Sequence, residues 1–409
     1  MKVLLVHQNF PGQFRHVAPG LVKRGHEVAV ITDSANKVEA PYLVARYGYE
    51  PPDKAKIAEA GGALVGHHAQ MAARGMAAVR VAAKLKAERG FEPDVIFAHP
   101  GWGETLYMKE LWPEAKMLLY AEFYYASRGL DANFDPEFQS YSLSRGLRTV
   151  AMRTHIAQSM TEADAALAPT EWQASTFPPC FRDRIEVVHD GVDTAKLAPD
   201  PEAQLTLPGA GTLKHGDEVL TFVVRNIEPY RGAHILFRAL PEVLKARPDA
   251  KVVIVGGDGV SYGAAPAEGT WKEIFLKEAG GALDLSRIHF TGRLPYDDLC
   301  QLLRVSRVHA YLTYPFVLSW SLMEAMSLGC AILGSKTPPV EEVIEDGVNG
   351  RLIDFFDVKG WSTGLIEALA NPDALQPLRA AARKTIQDRY DINMCLPKIL
   401  DLVEQTAIK

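Results

Sequence analysis

Cysteine is scarce in this chain of 409 residues: Cys180, Cys300, Cys330 and Cys395 stand far apart, with no C-x-x-C pair. That spacing excludes a disulfide framework and a cysteine zinc site, and it fits reduced thiols in a cytosol. Long apolar runs are missing as well. The longest, residues 308–320, is broken by His309 and Pro315 and falls short of the roughly 20 residues that cross a bilayer. The four apolar residues after Met1-Lys2 are too few for a signal peptide, so a cytoplasmic location is expected. Positive charge is not in excess: 44 Lys and Arg against 50 Asp and Glu give −6, which leaves no footprint for nucleic acid. The chain has neither G-x-G-x-x-G, which a dinucleotide dehydrogenase would need, nor a D-x-D pair that would hold a divalent ion.

What is present is an alternation of strands and helices in a composition of 47% hydrophobic and 23% charged residues. The length predicts two domains and the alternation predicts parallel sheets. Residues 2–6 read as a strand, 9–12 as a loop in which Gly12 lets the backbone approach a ligand, 13–24 as a helix and 28–32 as the next strand. A strand lies within 42–49. Residues 67–89 form a long helix whose Arg74, Arg80, Lys84, Lys86 and Arg89 spread around its axis, which favours a solvated helix over peripheral membrane contact. Strands at 94–99 and 118–122 end on His99 and Glu122, with Glu104 in the loop between them. Ligands of open α/β sheets sit outside such carboxyl ends. Glu122 beside Phe123-Tyr124-Tyr125 has the character of a sugar-binding surface. A helix at 139–162 and strands at 165–168 and 185–188 lead into His189-Asp190-Gly191.

The composition of residues 199–216 turns to Pro, Gly, Ala and Thr, and the interdomain linker is placed there. Domains of 1–198 and 217–385 flank it, and 386–409 is a C-terminal helix expected to pack back on the first. In the second domain, strands at 219–224, 251–255, 288–291 and 308–312 alternate with helices at 233–247 and 297–305. Residues 358–407 are helical, broken at prolines.

Two stretches of this second half carry chemistry. In RNIEPYRG, Arg225 ends a strand and Arg231 precedes Gly232 and a helix; two guanidiniums there would clamp a diphosphate. The other runs from Thr313 to Gly350. Ser319-Trp320-Ser321 opens a helix whose N–H groups and dipole favour an anion, and Glu324 stands among Leu322, Met323, Ala325 and Met326. A carboxylate on a buried face is costly unless paired. An anion site and a polyol site one or two turns apart suggest a nucleotide's ribose and diphosphate. A Pro-broken loop at 335–340 then precedes a short acidic helix at 341–346.

These pieces, with the Gly256-to-Gly259 turn, Thr291-Gly292-Arg293-Leu294-Pro295, Glu341–Gly350 and the amino-half RGHEV and HDGVD, stand in the order seen in retaining glycosyltransferases of family 4, and the chain resembles that family over nearly its whole length. The resemblance implies a GT-B fold, two Rossmann-like domains with parallel sheets facing a central cleft. It implies donor binding by Gly12, Arg225, Arg231, Gly257, Arg293, Leu294, Phe316, Ser319, Trp320, Ser321 and Glu324. The arginines would meet the diphosphate, Glu324 the ribose and 292–294 the base; Arg225, Arg231 and Glu324 would carry catalysis. His99, Glu122, Tyr124, His189 and Asp190 are the acceptor-side candidates. The sequence departs from the family where Phe316 replaces the first of two glutamates, Arg231 a lysine and Glu122 a histidine.

The expected activity is transfer of a sugar from a nucleoside-diphosphate sugar to a hydroxyl of a glycan or lipid-linked acceptor, with retention and without metal or cofactor, in surface polysaccharide or glycoconjugate synthesis. A sugar-nucleotide epimerase of the same shape and a non-catalytic nucleotide-sugar-binding subunit are the alternatives.

Overall fold

A computed structural model describes residues 1–408, the side chains of 54–65 excepted. The chain divides into two compact units. One holds Met1–Gly191 with the C-terminal helix Ile392–Ile408, and the other holds Val192–Asp391.

The first unit is built on seven parallel strands: β1 (Lys2–Val6), β2 (Glu27–Asp33), β3 (Ala45–Tyr49), β4 (Val95–Ala98), β5 (Lys116–Tyr120), β6 (Ala165–Ala168) and β7 (Ile185–Val187), in the order β3-β2-β1-β4-β5-β6-β7. Both faces of the sheet are covered, so β1 is apolar throughout. Leu4 and Val6 face Ala78, Ala82 and Leu85 of the helix Lys54–Arg89 and Ile156 and Met160 of the helix Leu143–Glu162. Val3 and Leu5 face Phe14, Leu21 and the C-terminal helix residues Ile399 and Val403. The order reverses between β1 and β4, where Val6 pairs with Ala98. His7 and His99 thus leave the sheet side by side at its carboxyl edge.

The helix Lys54–Arg89 is not simply solvated as its charges suggested. Ala78 and Ala82 make an inward face with Leu85, and Arg74 is buried against Glu104 at 3.5 Å. The first helix is shorter than expected: Gly12–Phe14 makes a 3₁₀ turn and the α-helix is Val17–Lys23.

The second unit has six parallel strands: β10 (Val219–Asn226), β11 (Lys251–Gly257), β12 (Ile288–Gly292), β13 (Val308–Tyr311), β14 (Ala331–Ser335) and β15 (Arg351–Ile353), in the order β12-β11-β10-β13-β14-β15. The remaining two, β8 (Gln204–Leu207) and β9 (Gly211–Lys214), pair antiparallel. They lie where a linker was expected. Leu205, Leu207 and Leu213 point inward at alternate positions onto Val219 and Leu302, so this is core structure despite its linker-like composition. A second difference concerns the acidic helix: it runs Pro338–Glu341, with the prolines in its first turn, where their missing N–H costs nothing.

Candidate functional site

In the second unit the sheet order reverses between β10 and β13, and a ligand is expected at that edge. The register of β10 against β11 slips between Val223 and Asn226, which turns Arg225 outward into solvent. Six residues later Arg231 is 7% exposed. Its guanidinium donates to Thr313 Oγ1 at 2.7 Å and to the Val317 carbonyl at 3.2 Å, and lies over the rings of Tyr262 and Phe316 at 5.1 and 5.9 Å. Arg231 is therefore a fixed strut whose hydrogen bonds hold the loop before the helix Trp320–Ser327. A cavity of about 40 Å³ opens between Arg225, Arg231, Tyr262, Tyr311 and Ser319. The structure thus brings both arginines and the helix start to one place.

Two of the three amides expected at an anion are already engaged. Ser319 N–H donates to the Tyr311 hydroxyl at 2.8 Å, and Ser321 N–H to the Ser319 hydroxyl at 3.3 Å. Trp320 is 38% exposed. Glu324 is half-buried, not enclosed, because it lies at the margin of the face formed by Leu322, Met323, Ala325 and Met326. It accepts a hydrogen bond from the Tyr296 hydroxyl at 2.7 Å; burial and this carboxylate push the Tyr296 phenol well above its usual range. Phe316 is buried edge-on against Tyr230 at 5.1 Å. Gly257 leaves room for Asn226, whose Oδ1 would lie 2.5 Å from an added Cβ. Arg293 is exposed, and Leu294 packs on the β8–β9 cluster.

Glu228 had no role in the sequence reading. It is fully buried, and its carboxylate accepts from the amides of Ser261, Tyr262 and Gly263 at 3.1, 3.3 and 3.0 Å. It fixes the loop that lays Tyr262 over Arg231. An acid three residues before Arg231 in RNIEPYRG was the available signal.

In the first unit a polar network gathers at the reversal point. The Asn9 amide donates to His7 Nδ1 at 2.9 Å, so the ring proton sits on Nε2, which donates to Gln13 Oε1 at 2.7 Å. Gln13 Nε2 donates to Glu122 Oε1 at 2.8 Å. His99 is oriented the same way: the Gly101 amide donates to Nδ1 at 3.0 Å, and Nε2 faces Glu122 Oε2 at 3.3 Å. The result is a chain His7–Gln13–Glu122–His99 with every tautomer set by the backbone. Burial, followed by the neighbouring His99, lowers His7 to about 3. At Glu122 burial acts upward, but hydrogen bonds from His99 and Gln13 hold the carboxyl below its usual value. Trp102 and Tyr120 stack on His99 at 4.4 and 5.6 Å, and the Tyr120 hydroxyl donates to Asp190 Oδ1 at 2.7 Å.

His99, Glu122 and Asp190 are thus brought together, joined by His7 and Gln13, which the sequence reading passed over although His7 directly follows β1. His189 is buried, accepts from the Gly191 amide at 3.0 Å and is lowered by burial to about 4. Tyr124 packs in the core beside Phe177 at 5.4 Å. Gly12, at φ +44°, is required by His7 itself, since a Cβ would stand 2.5 Å from the imidazole. Glu104 is enclosed with Tyr49 and Arg74, a structural role.

Residues 24–197 match the family described as "Glycosyl transferase family 4 group", and residues 210–385 match "Glycosyl transferases group 1". The chain is 24% identical over 247 residues, 58% of its length and 61% of the relative's, to a GDP-mannose-dependent alpha-(1-6)-phosphatidylinositol monomannoside mannosyltransferase of Mycolicibacterium smegmatis. It is 28% identical over 233 residues, 55% of its length and 49% of the relative's, to the D-inositol 3-phosphate glycosyltransferase of Nocardia farcinica. These matches therefore span about half to three-fifths of those relatives. Among solved structures, sucrose-phosphate synthase from Thermosynechococcus elongatus aligns over 99% of this chain and 98% of that one, with a TM-score of 0.70 at 15% identity. Anabaena HepE in complex with UDP-glucose aligns over 99% and 100%, with a TM-score of 0.66 at 15% identity. One glycosyltransferase signature thus lies on each Rossmann-like half, with the group 1 signature confined to residues 210–385, and neighbours aligned along the full length share the two-domain GT-B fold.

Proposed function

We propose that this protein transfers a sugar from a nucleoside-diphosphate sugar to a hydroxyl acceptor with retention of configuration. The observation that carries the reading is the cavity at the β10/β13 reversal, where Arg225, Arg231 and Ser319 converge and Glu324 lies on the helix that Ser319 caps. In this scheme Arg225, which reaches solvent, pairs with the diphosphate as negative charge gathers on the leaving group. Arg231 positions the helix start through Val317 and Thr313. Glu324, presented with Tyr296, accepts from the ribose hydroxyls. The acceptor hydroxyl attacks on the face the diphosphate leaves, and the arginines supply the positive charge that a metal would otherwise bring.

The His7–Gln13–Glu122–His99 network is assigned to the acceptor side. Its carboxylate is ionised, and the imidazoles orient it. Relatives' names mention two acceptor kinds, an inositol phosphate and a phosphatidylinositol mannoside, and our reading assigns this chain to the same broad setting of glycoconjugate synthesis.

The test is a thermal-shift screen with UDP, GDP, ADP and TDP on the wild type, Arg225→Ala and Glu324→Ala. A ligand at a hundred times its dissociation constant adds about 2.7 kcal/mol. One diphosphate should stabilise the wild type, and should shift either variant by no more than about half as much. Its sugar conjugates, incubated in chelator with an acceptor, should give a product whose anomeric configuration matches the donor. No shift with any diphosphate would end the reading, and an inverted product would end the retaining mechanism.

A further inference from the structure

The first three turns of the helix Leu143–Glu162 stand out from the first unit with apolar side chains in water. Leu143 is 69% exposed, Leu147 48% and Val150 46%, at i, i+4 and i+7, so they form one stripe. Tyr141, 45% exposed, extends it, its ring beneath the Arg128 guanidinium at 3.9 Å and against Gly146. Arg128, Arg145 and Arg148 are all exposed around the stripe. From Phe138 to Thr161 the sequence has no Asp or Glu, whereas Arg145, Arg148 and Arg153 all fall within it. Further along, the same helix turns inward: His155, Ile156, Ser159 and Met160 are buried, and His155 Nε2 donates to the Gly101 carbonyl at 3.0 Å. The stripe is thus rigidly tied to the loop that follows His99.

We propose that this face docks on an anionic lipid surface. Aliphatic side chains along one line with arginines beside them, on a helix end free of acids, match an interfacial helix that lies in the headgroup layer. The charge selects the occupant: a neutral bilayer offers nothing to Arg145 and Arg148, and an acidic one pairs with both. This is a different element from the helix Lys54–Arg89, whose Arg74 faces inward to Glu104. Combined with the transferase reading, it implies an acceptor carried at the membrane, but docking itself is measured without transfer.

The experiment is co-sedimentation of the full chain with vesicles of phosphatidylcholine alone or mixed with phosphatidylglycerol. Binding is expected only to the mixed vesicles, lost in high salt. Each arginine replaced should weaken it about fivefold, so Arg145→Ser/Arg148→Ser binds some 25-fold less tightly. Leu143→Ser/Leu147→Ser should weaken it by more than tenfold with melting temperature unchanged, since these side chains are exposed. The proposal is overturned if the wild type ignores the mixed vesicles, or if the arginine pair binds as well as the wild type. It also falls if light scattering shows a dimer that Leu147→Ser dissolves, which would make a second copy the occupant. Vesicle binding by a chain with no nucleotide shift would leave this inference standing and remove the transferase reading alone.

Discussion

Arg225 and Arg231 were read from the sequence as one clamp, yet their environments separate them. Arg231 is 7% exposed and donates to Thr313 and Val317, whereas Arg225 lies in solvent at the end of β10. Arg231→Ala would strand the Val317 carbonyl, remove the donor to the Thr313 hydroxyl and leave a void beneath Tyr262. The expected cost is about 2–4 kcal/mol of stability, read as a lower urea midpoint. Arg225→Ala should change stability by no more than about 0.5 kcal/mol and weaken nucleoside diphosphate roughly ten- to a hundredfold, the value of a charge-assisted contact. Isothermal titration with the responding diphosphate separates the two. Full affinity in Arg225→Ala would leave the diphosphate without its proposed partner. The sequence named both residues because spacing and Gly232 are local facts. It could not show which was buried, because that depends on residues 313–317, more than 80 positions away.

The β8–β9 hairpin shows the same limit one level up. Pro, Gly, Ala and Thr around residues 199–216 read as a linker, and only the alternation of Leu205 and Leu207, answered by Leu213, marks strands. Two short strands carry too few residues for periodicity to outweigh composition. Elements with unbroken patterns were legible: β1, β6 and the helices from 233 and 296 follow theirs closely, because a sheet covered on both faces imposes continuous apolar runs even on a short strand. The Pro338–Glu341 helix was misplaced for a chemical reason, prolines having been taken as breakers where they serve as the first turn. The hairpin gives a direct prediction. Leu213 is fully buried, so Leu213→Ala should cost about 2–5 kcal/mol, whereas in a linker it would cost nothing. A urea midpoint equal to that of the wild type would return residues 204–214 to the status of a tether.

Taken as a whole, the molecule stores neutral histidines in both units, which fixes how it responds to acid. Burial holds His7 at about 3 and His155, His189 and His309 each at about 4. In the unfolded chain each titrates near 6.5. Between roughly pH 6.5 and 4 the unfolded state therefore binds protons that the folded state refuses, and stability falls as pH falls, by about 1.4 kcal/mol per pH unit for each such proton. Glu104 acts in the opposite sense: burial raises its carboxyl, so the folded state takes a proton first and regains part of the loss. Four histidines against this carboxylate leave a net fall, on the order of several kcal/mol between pH 7 and pH 5. The geometry gives the reason. His7 Nδ1 accepts the Asn9 amide, so protonating that nitrogen breaks the contact, and His309 Nε2 is buried with no hydrogen-bond partner among the described residues, so a fully protonated ring there would leave an N–H unsatisfied. Urea unfolding at pH 7, 6 and 5 should show the decline, and His309→Gln, though less stable throughout, should show it shallower by one proton's share. A slope in His309→Gln equal to the wild type's would mean that His309 is protonated within the fold, and a slope of zero in the wild type would mean that the carboxyls, not the imidazoles, govern the molecule's response to acid.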